Sequence, residues 1–331
     1  MTDAENRFLN VVIAARVGDA MGTPTEGLSA AEINESFGWV TEFHGAGTDD
    51  TLLASVLAKV LVDTQGAARA DDWAAELCKE RPRILDKQQY FFASVLHLLE
   101  KLRRGYRPSE VALGNMPSSS SAMCIWPVSL VNAADPESAG RQAYDLASLI
   151  HVAPVDHCAD AAAALAAAIA SAFLPGADVM SCLDHALRAI RPKSGQPFRT
   201  VLSGAVQLAL TSDSYESFRA DFQAHYSRPI FCDAMETVPA AFGLAVLADG
   251  DPKKTVEYGA NFGRDSDTIA SMAGALAGAL AAELPSEWLA ALGDAERAEA
   301  KRVADELART ARTRNAIKRE RMLATTAFLE R

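Results

Sequence analysis

The sequence predicts an all-α fold built as one large domain. Three observations carry this: alanine, the best intrinsic helix former, is abundant; apolar residues recur at three- and four-residue steps; and short alternating strands bounded by tight turns are scarce. At ~150 residues per domain, 331 residues allow one large domain or two small ones. No composition shift, charged run or Gly/Ser/Pro linker divides the chain, so a single domain over 1–331 is expected, with its core at about 8–282 and closing helices over 285–331.

Taken in order, Phe8 to Met21 and Leu52 to Asp63 have the apolar spacing of core helices. Gly114 to Ser121 (GNMPSSSS) has the composition of a loop and is the most conspicuous break in the chain. Asp135-Pro136-Glu137, Asp251-Pro252 and Pro285-Ser286-Glu287 mark helix starts, each setting an N-cap candidate beside a proline suited to a first turn. Ala161 to Gly176 and Ile269 to Ala282 read as buried helices, being Ala-rich and shorter than the ~20 residues of a membrane span. Pro239 falls inside the apolar run Met235 to Leu247 and should kink that helix or mark its first turn. The tail from Glu296 to Arg331 alternates charged and apolar residues at helical spacing, as an amphipathic closing helix with a solvated face does.

A formal net charge of −11, from 32 basic and 43 acidic side chains, argues against a nucleic-acid partner, because neutralising phosphates needs a basic surface. The N-terminal MTDAENRF is acidic where a signal peptide is basic. Five widely spaced cysteines without a C-x-x-C pair argue against a zinc site or a disulfide framework and fit the reducing cytoplasm. No membrane partner is expected, and the alanine-rich composition allows a monomer. Gly45-Ala46-Gly47 lacks the third glycine of a dinucleotide fingerprint, and no Walker loop, H-E-x-x-H or G-x-S-x-G is present.

Two loops stand out. Gly47-Thr48-Asp49-Asp50-Thr51 and Gly263-Arg264-Asp265-Ser266-Asp267-Thr268 each put two carboxylates and threonine hydroxyls directly before a helix. Helix capping explains one such side chain per helix. It does not explain paired carboxylates, which repel unless a cation or protons compensate. Ligands drawn only from Asp and Thr oxygens select hard cations such as Mg²⁺ or Mn²⁺ over Zn²⁺, and four carboxylates could hold a metal pair ~3.5–4 Å apart if the loops meet. A third cluster, Gly18 to Glu26 (GDAMGTPTE), reads as a helix packed closely through Gly18 and Gly22 and then a turn at Pro24. Gly274 and Gly278 read as close packing too.

Together, GDAMGTPTE at 18–26, GTDDT at 47–51 and GRDSDTIASMAGALAGA at 263–279 resemble the ADP-ribosylglycohydrolase family, which includes the dinitrogenase reductase-activating glycohydrolase. AMCIWPVSLV at 122–131 and ASLIHVAPVDHCADAAAALAAAIA at 147–170 extend the resemblance to most of the chain. It implies a large orthogonal helical domain with a dinuclear Mg²⁺ or Mn²⁺ cleft. By residue, it makes Thr48, Asp49, Asp50, Asp265, Asp267 and Thr268 the metal ligands. Glu26 becomes a ligand, gate or proton-transfer group, so that Glu26, Asp49 and Asp265 form the catalytic set. Ser119, Ser120, Ser121, Met123 and His151 fall at positions that face substrate in the family. In such enzymes the metals engage the hydroxyls of the ribose whose anomeric bond is cleaved and help hold the attacking water.

The chain departs from the family where ADP-ribose binders commonly carry Gly-Asn-Gly and then Ala-Met-Arg. Here the stretch is Ser118-Ser119-Ser120-Ser121-Ala122-Met123-Cys124, without the glycine-rich backbone approach and without the arginine. Hydrolysis of an N-glycosidic ADP-ribosyl bond on a modified protein side chain or related conjugate is the leading expectation. Hydrolysis of a smaller N-riboside such as a nucleoside comes second, and a non-catalytic binding protein on the same fold third. Asp156 and His157 could line the same wall as His151, although a satisfied structural histidine is the better reading of His157. Trp126 and Phe262 are expected to pack rather than to stack on a base.

Overall fold

A computed structural model describes residues 3–45 and 47–330. Among these residues every regular element is helical. The N-terminal part comprises α1 (Asp3–Gly22), α2 (Ala30–Ser36), α3 (Asp49–Asp63), α4 (Ala70–Asp86) and α5 (Ala93–Arg103). The middle holds α6 (Trp126–Val131), α7 (Pro136–Ala147), α8 (His157–Ser171), α9 (Val179–Ala189), α10 (Gln196–Thr211) and α11 (Tyr215–Tyr226). The chain closes with α12 (Ala234–Leu247), α13 (Pro252–Ala260), α14 (Ser266–Leu280), α15 (Ser286–Ala291) and α16 (Asp294–Leu329).

The expected core helices are present. In α8 every residue after His157 is buried, the signature of a helix enclosed on all sides. Helices α1 and α14 pack antiparallel along a seam of small residues. A Cβ on Gly278 would stand 2.7 Å from the Asn10 carbonyl oxygen, and one on Gly274 would stand 2.6 Å from that of Ala14. Four residues further along α1, Gly18 meets the Ala270 carbonyl, and after another four Gly22 meets the Asp267 backbone. Four-residue steps keep one face of each helix against the other. Because the pair is antiparallel, the C-terminal end of α1 comes to lie beside the N-terminal end of α14.

The punctuation is mostly as the sequence indicates. Asp135 caps α7 by accepting the Ser138 N–H, and Asp251 caps α13 by accepting the Lys254 N–H at 2.8 Å. At α15 the order is reversed, since Pro285 occupies the cap position, Ser286 begins the helix and no side chain caps it. Pro239 neither opens α12 nor ends it. The Asp233 side chain caps that helix at Met235, and Pro239 sits in its second turn, among neighbours that bury its ring. The closing helix packs through Ala300, Val303, Ala304, Leu307, Ala308 and Ala311, and its last turns stand exposed at Met322, Leu323, Phe328 and Leu329.

The seam generates a prediction. Gly18→Ala pushes α1 off the backbone of α14 and should cost about 1–3 kcal/mol, as overpacking of a tight core does. The measurement is urea unfolding, where the midpoint falls and the slope is unchanged. An unshifted midpoint would mean that the seam does not bear on stability.

Candidate metal centre

The meeting of α1 with α14 gathers the three motif clusters into one place. Asp19 sits on the last turns of α1, Glu26 follows the 3₁₀ turn Thr23–Thr25, Thr48 to Asp50 open α3, and Asp265 to Thr268 open α14. Asp19, Asp49, Asp50, Asp265 and Asp267 are all buried, at most 4% exposed, while Glu26 is partly exposed. Oxygens of Asp19, Asp50 and Asp267 lie within 4.8 Å of one another, and so do oxygens of Glu26, Asp265 and Asp267. Asp267 belongs to both groups. The two loops, more than two hundred residues apart in the chain, therefore do meet.

Capping does not account for these side chains. Thr48 and Asp265 occupy the cap positions of α3 and α14, yet neither makes a side-chain cap hydrogen bond. The hydroxyls bind the acids instead. Thr268 Oγ1 donates to Asp50 Oδ2 at 3.1 Å, and Ser119 Oγ donates to Asp265 Oδ2 at 3.0 Å. Asp49 Oδ2, Asp50 Oδ1 and Asp265 Oδ1 are buried without a hydrogen-bond partner. Among the described residues no lysine or arginine forms an ion pair with any of the five aspartates. Burial, and then the charge of neighbouring carboxylates, holds Asp49, Asp50, Asp265 and Asp267 well above the ordinary carboxylate range. Glu26 is raised for the same two reasons, burial first and Asp19 second. An all-oxygen donor set with uncompensated charge and unpartnered oxygens fits hard divalent cations.

Asp19 is the residue that motif reading passes over. It accepts the Thr48 N–H at 2.9 Å, the Thr48 hydroxyl at 2.8 Å, the Thr51 N–H at 3.0 Å and the Thr51 hydroxyl at 2.5 Å. It thereby fixes the start of α3 against α1. A Cβ on Gly47, whose φ is +78°, would collide with Asp19 and Thr51, so glycine is required there. The signal was present in the sequence: an aspartate between two packing glycines, in a helix otherwise apolar at that end.

The 263–265 loop is held from the other side. Arg264 adopts φ +62°, a left-handed conformation that costs a non-glycine residue about 1–2 kcal/mol. Its guanidinium makes a bidentate pair with Glu236, which is fully buried, and also donates to the Arg228 carbonyl. Its backbone pairs with the segment after Glu26, where the Gly27 N–H donates to the Arg264 carbonyl at 2.7 Å and the Arg264 N–H to the Leu28 carbonyl at 3.0 Å. One loop thus positions both Asp265 and the chain around Glu26.

Of the five residues expected at the substrate, Ser119 alone hydrogen-bonds to a carboxylate of the centre. Ser118 to Ser121 are completely buried, a loop by shape but part of the core by position. Ser120 binds Ser94 and Ser118. Ser118 Oγ lies 3.0 Å from His151 Nε2, and Ser121 Oγ lies 2.8 Å from His151 Nδ1. Both nitrogens of His151 are thus engaged by the serine segment, and burial pushes its pKa down to about 3, which keeps the ring neutral. Met123 is 1% exposed and packs in the core. Cys124 donates its thiol to the Ser120 carbonyl, and its pKa is pushed up by burial and by the Asp50 charge. Asp156 pairs with Arg191, and His157 with Asp233. Trp126 is buried, and Phe262 packs edge-on to Phe222 at 5.5 Å. A surface cavity of about 800 Å³, lined by α7 and α9 residues, contains none of these acids.

Comparison with known proteins bears on the fold and the family. The family model described as ADP-ribosylglycohydrolase matches residues 1–317. The uncharacterized protein YegU of Escherichia coli (strain K12) is 26% identical over 302 residues, covering 82% of this chain and 86% of its own. An uncharacterized protein of Archaeoglobus fulgidus is 26% identical over 310 residues, covering 88% and 93%. A solved structure titled ADP-ribosylglycohydrolase-related protein complex superimposes with a TM-score of 0.71 at 22% identity, covering 94% of this chain and all of that one, and so has the same fold. The chain belongs to the ADP-ribosylglycohydrolase family.

Proposed function

We propose that the chain is a dimetal-dependent hydrolase of an N-glycosidic ribosyl bond, removing ADP-ribose from a modified protein side chain or a related conjugate. The observation that carries this reading is the pair of overlapping carboxylate groups sharing Asp267, with buried oxygens left unpartnered. Thr48, Asp49, Asp50, Asp265, Asp267 and Thr268 would hold the cations. Two Mg²⁺ or Mn²⁺ ions would supply fixed positive charge that orients ribose hydroxyls and acidifies water.

The protein's own groups divide the remaining work. Glu26, the one acid of the centre that is partly exposed, has a raised affinity for protons. It is the group suited to take a proton from the attacking water as the bond to the anomeric carbon forms. The departing nitrogen leaves with the bonding electron pair and takes up a proton from solvent or from Glu26, which has accepted the one released by water. Asp49 and Asp265, each with an unpartnered oxygen, orient the nucleophile side of the site. Ser119, anchored on Asp265, connects the serine wall to the reacting centre. Five unpaired cysteines support a cytoplasmic setting.

A second reading, a smaller N-riboside such as a nucleoside, is favoured by the serine segment itself. It carries no cation, and the hydroxyls of Ser118, Ser120 and Ser121 are engaged with one another, Ser94 and His151. The test is product release with Mg²⁺ or Mn²⁺, comparing an ADP-ribosyl-arginine conjugate with a panel of nucleosides. Metal-dependent release of ADP-ribose supports the first reading, and release of ribose from nucleosides alone replaces it with the second. Asp265→Ala should lower kcat roughly 10²–10³-fold. No turnover of any substrate and no divalent-metal binding would leave the non-catalytic alternative.

Two further outcomes follow. Carboxylates whose folded-state pKa is raised destabilise the metal-free protein as pH rises above about 4, because the unfolded chain ionises more readily. The Tm of metal-free protein should therefore fall between pH 5 and pH 8, and saturating Mn²⁺ should raise it more at pH 8 than at pH 5. Equal shifts at both pH values would contradict uncompensated charge. Replacing His151 by Ala strands two buried serine hydroxyls and should cost on the order of 3 kcal/mol in urea unfolding, with little pH dependence between 5 and 8 because the ring is neutral throughout.

A further inference from the structure

We propose a second metal site, for a thiophilic divalent cation such as Zn²⁺, formed by His157, Cys158 and Asp233. Cysteine spacing argues against zinc in this chain, because the donors come from separate segments. His157 and Cys158 open α8, whereas Asp233 caps α12, and the fold brings one ligand atom of each within 4.8 Å of the others.

The imidazole and carboxylate donors are close to the spacing of a filled site, and the Cys158 sulfur lies within 4.8 Å of both. His157 Nε2 and Asp233 Oδ1 stand 2.9 Å apart. Metal–ligand bonds of ~2.0–2.1 Å at a tetrahedral angle set nitrogen and oxygen donors about 3.3 Å apart, so a few tenths of an ångström of opening admits the ion. Asp233 is fixed in place by accepting the Met235 N–H, and the Arg228 guanidinium approaches its other oxygen at 3.7 Å. Cys158 is fully buried, and that burial raises its thiol pKa and keeps it protonated. A metal supplies the missing charge. On binding, the Cys158 S–H proton leaves to solvent as the sulfur–metal bond forms, His157 binds as the neutral imidazole, and water fills the fourth position. The His157 ring, 18% exposed, provides the entry.

This site is separate from the carboxylate centre in chemistry, although the two share a wall. Ser119 donates to Asp265, and Ser121 of the same segment donates to the Cys158 carbonyl at 3.4 Å. Mixed imidazole, thiolate and carboxylate donors select Zn²⁺ or Co²⁺, whereas the centre's oxygens select Mg²⁺ or Mn²⁺.

The test is Co²⁺ titration of the reduced, full-length protein in excess Mg²⁺, followed by its near-ultraviolet thiolate-to-cobalt absorption, with Zn²⁺ then added as competitor. One equivalent of Co²⁺ should generate the band and Zn²⁺ should remove it. Cys158→Ser should abolish the band, and His157→Ala, at a partly exposed position, should weaken Co²⁺ binding at least tenfold. Cys124→Ser, at a buried thiol bonded to the Ser120 carbonyl, and Asp265→Ala, at the carboxylate centre, should leave the band intact. Circular dichroism verifies that each variant is folded. A band that survives Cys158→Ser and His157→Ala, or that never forms in the parent protein, overturns the proposal.

Discussion

The crowding of like charge governs this structure. Five aspartates and a glutamate sit close together, mostly out of water, and in an isolated protein each would drive the others apart or take up protons. Two devices offset part of that cost from within the chain. Backbone and hydroxyl donors hold Asp19, and Thr268 and Ser119 each hold one oxygen of a further acid. The rest is left open, at oxygens with no partner, and that is where compensation from outside the chain belongs.

Holding the acids together requires that α1 and α14 approach as closely as backbones allow. Any side chain at Gly18, Gly22, Gly274 or Gly278 would separate the helices, and the separation would be passed directly to Asp19 and Asp267, which lie on the same turns as Gly18 and Gly22 or against them. The small-residue seam is thus a distance setting for the centre as well as a packing device. Stability and site geometry share one set of contacts, so substitution at the seam disturbs both.

What the sequence makes legible follows from how local each signal is. The helices, most of their caps and the two acidic loops lie in contiguous runs where residue type and spacing are visible, and the fold brings Asp50, Asp265 and Asp267 of those loops together. Asp19 was visible but unassigned, because its partners Thr48 and Thr51 belong to another helix. The serine segment reads only as a loop from its composition, whereas Ser94 and His151, 24 residues before and 33 residues after Ser118, hold it inside the core. Arg264 with Glu236, and His157 with Asp233, are pairs separated by 28 and 76 residues, and no local pattern announces them.

Those long-range pairs also distinguish structural charge from functional charge. Glu236 and Asp160 are as deeply buried as the acids of the centre, but each has its own arginine, Arg264 and Arg191 respectively. With a bidentate partner, a buried carboxylate becomes a fixed strut, and Glu236 uses that rigidity to hold Arg264 in its left-handed conformation at the ligand loop. The five aspartates of the centre are comparably buried and, among the described residues, have no arginine. The chain provides cations for its structural carboxylates and none, among the described residues, for this cluster, and that difference is what the proposed cation site rests on.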